Sequence, residues 1–396
     1  MNVLILLLTF PLILFVAWVV YANLPGPELE VTQVDWQNVN QNENRTNVSA
    51  VQTSEQQDDT TAKEAEELPF TVNVVYSPGY LINLGGLERL HPFDIKKYQK
   101  IHNALKDDGL LADKTTWRPE PISTEDCLLV HTKEYLKELK SKQNVAKYLE
   151  ADVLKYAPVS LERGILDPFR RASGGTVLAA RTALKTGIGI NIGGGYHHAK
   201  PNIGEGFCLF ADVPIAIRKL QKEKRIKRAV IIDVDVHQGN GTILCLDKDD
   251  STFTFSMHQD DIYPIPKEIG DLDVELKSGM GDEEYLKVLN THLSKVLDEA
   301  KADICFIVGG CDPLKGDPLA NLTMSHEGIV KRDQVIIDEC VKRKLPVVLT
   351  LSGGYSEGAW KAQYLSIKNL IEKYKLNEDV PVSEPAGKKQ SKIQEK

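Results

Sequence analysis

Arg228-Ala229-Val230-Ile231-Ile232-Asp233-Val234-Asp235-Val236-His237-Gln238-Gly239-Asn240-Gly241 is the stretch from which the fold can be read. It opens with a short unbroken run of apolar, mostly β-branched residues. That is the pattern of a strand covered on both faces, as in a parallel sheet. The residues that follow alternate polar with valine, so Asp233, Asp235 and His237 project to one side of an extended backbone. Carboxylates are costly in an apolar interior without partners, so this strand end reads as a site. Asp235 and His237 are suitable zinc ligands. Asp233 shares their side and is placed to support them from behind.

Two more apolar runs end in the same manner. Ile304-Cys305-Phe306-Ile307-Val308 leads into Gly309-Gly310-Cys311-Asp312-Pro313-Leu314-Lys315-Gly316-Asp317, and Val347-Val348-Leu349-Thr350-Leu351 leads into Ser352-Gly353-Gly354-Tyr355. In open α/β sheets ligands bind beyond the carboxyl ends of strands, so these ends are expected to converge. A fourth segment, Asn191-Ile192-Gly193-Gly194-Gly195-Tyr196-His197-His198, joins three glycines to a histidine pair. Glycine lets backbone approach closely. One histidine can act as a general base while the other is held by a carboxylate. The Tyr355 phenol, beside two glycines, can donate to a developing oxyanion. Each motif alone has a plainer reading: a surface histidine pair, a flexible glycine loop, an ordinary tyrosine. Their shared position after apolar strands favours the chemical one.

Outward from these segments, strand-like runs at 71–76, 187–192, 229–234, 252–256, 304–308 and 346–351 alternate with helix-period segments at 94–107, 168–185, 213–223, 283–300, 326–342 and 358–373. This alternation predicts one α/β domain over residues 69–376, a mainly parallel sheet with helices on both faces. Residues 3–22 are almost wholly apolar and long enough for one bilayer crossing. Residues 1–23 therefore read as a transmembrane anchor or a signal segment, an N-terminal hydrophobic helix. Residues 24–68 and 377–396 are polar and read as a disordered linker and tail. The linker holds two glycosylation sequons, at Asn44 and Asn47. Two more, at Asn240 and Asn321, fall in the loops read as a site, where a glycan would block it. That places the domain on the cytosolic side, or in the nucleus if the anchor is not used.

A formal net charge of -8 argues against binding a nucleic-acid backbone, which needs clustered Lys and Arg. It suits a basic peptide partner. The six cysteines include no CxxC pair, so a zinc ribbon or thioredoxin motif is excluded and buried free thiols are expected.

Taken together, the chain resembles the zinc-dependent histone deacetylases from about Tyr76 to Lys373, and class IV most closely. The likeness rests on Val75-Tyr76-Ser77-Pro78, Gly85-Gly86-Leu87-Glu88-Arg89-Leu90-His91-Pro92-Phe93-Asp94, Asp235-Val236-His237-Gln238-Gly239-Asn240-Gly241 and Gly328-Ile329-Val330-Lys331-Arg332-Asp333. The resemblance implies an arginase/deacetylase-like fold and one Zn(2+) per chain, held by Asp235, His237 and Asp317. It implies His198, leaning on Asn240, as the base, His197 oriented by Asp233, and Tyr355 polarising the acyl carbonyl. Gly206, Phe207, Met324 and Gly354 match positions along a substrate tunnel, and Tyr263 its rim. A structural K(+) would use Asp233, Asp235 and His237 with Ser256 and Met257. The implied substrate is an acyl-lysine protein or peptide, histones among them, with long-chain acyl groups as an option. His326 and Met257-His258-Gln259-Asp260 depart from the common family pattern, which leaves substrate preference open. The alternatives are a binuclear manganese ureohydrolase-like enzyme, an acetylpolyamine amidohydrolase and a non-catalytic acyl-lysine-binding module.

Overall fold

The computed structural model describes residues 70–379, apart from 84, 85 and 87–90. Within them one sheet holds β1 (Thr71–Val75), β2 (Thr116–Trp117), β3 (Gly187–Asn191), β4 (Ala229–Asp233), β5 (Thr252–Gln259), β6 (Leu272–Leu276), β7 (Ile304–Val308) and β8 (Val347–Thr350). The order is β2-β1-β3-β8-β7-β4-β5-β6 and every pairing is parallel. The long helices are α1 (Lys97–Asp107), α2 (Asp167–Thr186), α3 (Asp212–Lys222), then a short α4 (Asn240–Leu246), followed by α5 (Asp282–Ala300), α6 (His326–Lys342) and α7 (Ala359–Tyr374).

The period of two within each strand sorts the core into two layers. Val230 and Ile232 of β4 join Ile188, Ile190, Cys305, Ile307, Val347 and Leu349 under α1, α5, α6 and α7. Ala229 and Ile231 join Ile304, Phe306 and Val348 under α2 and α3. Both sets are buried, which is why these strands read as continuous apolar runs. Truncating one of these isoleucines to alanine is expected to cost about 2–5 kcal/mol. The helix starts carry local signals: Pro168 in the first turn of α2, three acids at the start of α5, and the Ser325 hydroxyl accepting from Gly328 N at α6.

The sheet is wholly parallel, where a mainly parallel one was expected. Three features were not anticipated. The edge strands β2 and β6 are, respectively, too short and too polar to stand out. Three short helices occupy the span between Thr124 and Tyr148. Helix α4 begins inside the Gly239-Asn240-Gly241 stretch that reads as loop, and its first turn is buried. The predicted N-terminal hydrophobic helix, the linker 24–68 and residues 380–396 of the tail lie outside the described residues. Among those described, no helix is long and apolar enough to cross a membrane.

Candidate active site

The strand order sets β3, β8, β7 and β4 side by side, so their carboxyl ends open onto one place. After β3, Gly194 and Gly195 take φ values of 70° and 78°, a region that disfavours other residues. The buried Asp212 carboxylate accepts from Gly195 N at 2.9 Å and Tyr196 N at 2.7 Å, fixing the turn. It delivers two buried imidazoles whose ring centres are 4.0 Å apart. His197 Nδ1 meets Asp233 Oδ2 at 2.8 Å, and His198 Nδ1 meets Asn240 Oδ1 at 2.7 Å.

After β4 the chain carries Asp235 and His237 into the same place. Asp235 Oδ2 accepts from Ser352 Oγ at 2.8 Å and Gly353 N at 2.9 Å. A Cβ on Gly353 would lie 2.3 Å from Asp312 Oδ2 and 2.7 Å from Asp235 Oδ2, so only glycine fits there. His237 Nδ1 lies 3.1 Å from Asp235 Oδ1 and 3.2 Å from Asp312 Oδ2. One ligand atom from each of Asp235, His237 and Asp312 falls within 4.8 Å of the others, all three residues buried. Asp317, expected as the third ligand, is not in that trio. Its carboxylate accepts from Tyr355 N at 2.7 Å, Ser356 N at 3.1 Å and Leu319 N at 3.0 Å.

Electrostatics separate these groups. Burial lowers the pKa of His197, but the Asp233 and Asp235 carboxylates outweigh it and raise it to about 9. Burial also opposes a charge on His237, yet Asp235 and Asp312 bring it to about 10. His198 is held well below the ordinary value by burial and by the neighbouring His197 and His237. Burial, then Asp235, pushes Asp312 up to about 7. Buried carboxylates thus exceed the fixed positive charge there, an excess that a bound cation would offset. Hard carboxylate oxygens and an imidazole in such a setting are a donor set that fits a divalent cation.

Tyr355 is half-buried, its ring 6.2 Å from Phe93, 5.9 Å from Phe207 and 6.3 Å from His237. Burial drives its pKa well up, so the phenol stays a donor. Gly206 and Phe207 line a cleft of about 810 Å³, open mouth included, whose wall also holds His197, His198, Tyr80, Tyr98 and Phe169. Tyr263, Met324 and Gly354 do not line this cleft. The Tyr263 ring stands edge-on to His198 at 4.9 Å, whereas Met324 is buried and bridges to Leu314, which draws it into the core. Ser256 pairs in register with Asp233, as a cation site there requires, but its hydroxyl shares a 3.0 Å hydrogen bond with His258 Nδ1. Asn240 is buried against His198, so its sequon cannot carry a glycan in this fold.

Four residues of the site were given no role on sequence: Lys97, Glu205, Asp212 and Asp312. The buried Lys97 ammonium donates to Ser352 O at 2.9 Å and Gly353 O at 2.8 Å, pinning the loop before Tyr355. In sequence it is one of several lysines on an amphipathic helix, and nothing local distinguishes it. Asp312 carried a signal, since it follows a buried strand.

The histone deacetylase domain model matches residues 91–370. The chain belongs to the histone deacetylase family. It is 37% identical over 303 residues to histone deacetylase 2 of Arabidopsis thaliana, covering 76% of this chain and 78% of that one. It is 30% identical over 288 residues to a probable deacetylase of Archaeoglobus fulgidus, covering 68% and 78%. Among solved structures, the HD domain of HDA15 superposes with a TM-score of 0.64 at 20% identity, covering 78% of this chain and 93% of that one. An acetylpolyamine aminohydrolase from Burkholderia pseudomallei gives 0.59 at 17% identity, covering 76% and 98%. These two structures show the shared fold. As a histone deacetylase family member the protein is a hydrolase acting on amide bonds.

Proposed function

We propose that the protein hydrolyses the side-chain amide of N6-acyl-lysine in proteins or peptides, in the manner of class IV histone deacetylases and with zinc as cofactor. The observation that carries this reading is a buried histidine, His198, with Nδ1 on the Asn240 amide oxygen, in the wall of an apolar cleft beside a buried carboxylate–imidazole cluster.

Asp235, His237 and Asp317 would hold the metal. The third place goes to Asp317 on the family resemblance, and Asp312, whose Oδ1 accepts from Val236 N at 2.8 Å and whose Oδ2 lies 3.2 Å from His237 Nδ1, would orient that ring. Asp317 instead holds the backbone of Tyr355, and so borders the place where an acyl carbonyl would lie. When bound, zinc supplies Lewis acidity and lowers the pKa of water. His198 Nε2 takes a proton from the attacking water and returns it to the leaving lysine nitrogen. His197, kept positive by Asp233, stabilises negative charge as it develops beside it. The Tyr355 hydroxyl donates to the carbonyl oxygen as it becomes an oxyanion. The products are a carboxylate and a free lysine amine.

The cleft wall also holds Tyr80, Tyr98 and Phe169, apolar surface that suits acyl groups longer than acetyl. A basic flanking sequence, as in histone tails, suits the acidic chain. A series of acyl-lysine peptides of increasing chain length, each run with and without chelator, tests the proposal. Turnover that chelator abolishes and that rises beyond acetyl is expected; chelator-resistant turnover would sink the zinc reading. Elemental analysis of Asp317→Asn and Asp312→Asn tests the ligand assignment, the first losing more zinc than the second. We further propose that residues 3–22 anchor the chain with the catalytic domain on the cytosolic side, which protease protection on intact membranes tests.

A further inference from the structure

Behind Asn240 lies the Glu205 carboxylate. Glu205 Oε1 accepts from Asn240 Nδ2 at 3.2 Å and from the Tyr263 hydroxyl, and Glu205 Oε2 pairs with Lys200 Nζ at 2.9 Å. A hydrogen-bond chain thus runs from Glu205 through Asn240 to His198 Nδ1.

The direction of that chain matters because an asparagine amide is ambiguous. Its two ends are nearly the same shape, one donating and the other accepting. Facing His198 with oxygen, it requires the ring proton on Nδ1 and leaves the Nε2 lone pair free. Facing His198 with nitrogen, it requires the opposite tautomer, and Nε2 then has no lone pair to offer. A carboxylate at position 240 would not have this freedom, since it only accepts. His197 is fixed in that direct way by Asp233.

We infer that Glu205 is the positioning residue that sets the tautomer of His198, by holding the Asn240 amide nitrogen toward itself and the amide oxygen toward the ring. An ionised carboxylate accepts only, so it leaves the amide one orientation. Burial works against that ionisation, but the Tyr263 hydroxyl and the Lys200 ammonium outweigh it and hold the Glu205 carboxyl below its usual range. The inference rests on the reading of His198 as the base.

The test uses the full-length chain labelled with ¹⁵N-histidine, with the His198 signals identified by their loss in His198→Gln. The chain has nine histidines, so this assignment step is needed. In the wild type His198 is expected to show the Nδ1–H pattern of ring shifts. In Glu205→Gln the new amide can donate to Asn240, and the Nε2–H tautomer should appear. On an acyl-lysine peptide the same variant should lose roughly tenfold or more in kcat, with KM close to wild type. Adding Asn240→Asp to Glu205→Gln should restore the Nδ1–H pattern and most of kcat, because an acceptor-only group again faces the ring. The inference is overturned if Glu205→Gln keeps both the tautomer and kcat. It is also overturned if the double variant shows the Nδ1–H pattern but stays as slow as the single one. Absence of turnover by the wild type on every acyl-lysine peptide would sink the proposed function instead, and the ring shifts would still decide the role of Glu205.

Discussion

His197 and His198 are neighbours in the chain with ring centres 4.0 Å apart, yet the protein treats them in opposite ways. The His197 side is built from carboxylates, Asp233 in direct contact and Asp235 close by, and the ring is driven to hold a proton. The His198 side offers a neutral amide, and the ring is driven to lose one. Burial disfavours charge on both. What separates them is what faces each ring: carboxylates against His197, a neutral amide and two other imidazoles against His198. Two groups with pKa values pushed apart are how one site holds charge and accepts a proton at the same pH.

Removing each ring in turn is the severest way to break that contrast. His198→Ala is expected to lower kcat by about 10²–10⁴, as loss of a general base does, with a smaller loss in His197→Ala. Steady-state kinetics on one acyl-lysine peptide checks this, and equal losses would erase the division of labour. Next in size, Tyr355→Phe should cost about 10²–10³ in kcat while zinc content by elemental analysis stays at the wild-type level. Turnover near wild type would remove the phenol from the oxyanion role.

Asp233→Asn sharpens the comparison by making the two sides alike. The raised pKa of His197 means its charge is present at neutral pH and lost as pH rises through about 9. In the variant the largest raising influence is gone, so the alkaline limb of the pH–rate profile should move toward lower pH. The same linkage acts on stability. The His197–Asp233 contribution is complete below the unfolded histidine pKa of about 6.5 and fades as pH rises through the folded value. Thermal midpoints of wild type and variant should therefore differ most in mild acid, where His197 is charged and Asp233 still ionised, and draw together in alkali. The smallest effect is expected from Lys200→Met, which removes the ammonium beside Glu205. That pair is partly exposed, at 20% and 29%, so kcat should fall no more than severalfold.

How much of this was legible depended on range. The two-residue period that sets Asp233, Asp235 and His237 on one side is local, and so is the pairing of glycines with histidines after β3. Both could be read directly. The edge strand β6 escaped because Leu272-Asp273-Val274-Glu275-Leu276 is half polar, and α4 because glycines flank its first residue. Lys97 and Glu205 escaped for another reason. Lys97 is 255 residues from the carbonyl it holds, and Glu205 is 35 residues from the amide it holds. No periodicity links residues across such distances.

By itself, then, the sequence determined the parallel sheet with helices on both faces and the residue types gathered at the strand ends. Those follow from burial and spacing along the chain, which act over a few residues. Only the tertiary structure decided that β3, β8, β7 and β4 stand side by side, that Asp312 rather than Asp317 joins Asp235 beside His237, and that one histidine of an adjacent pair faces a carboxylate and the other an amide. These depend on which groups from distant segments share a dry interior, where a few ångströms and one intervening amide decide where a proton rests.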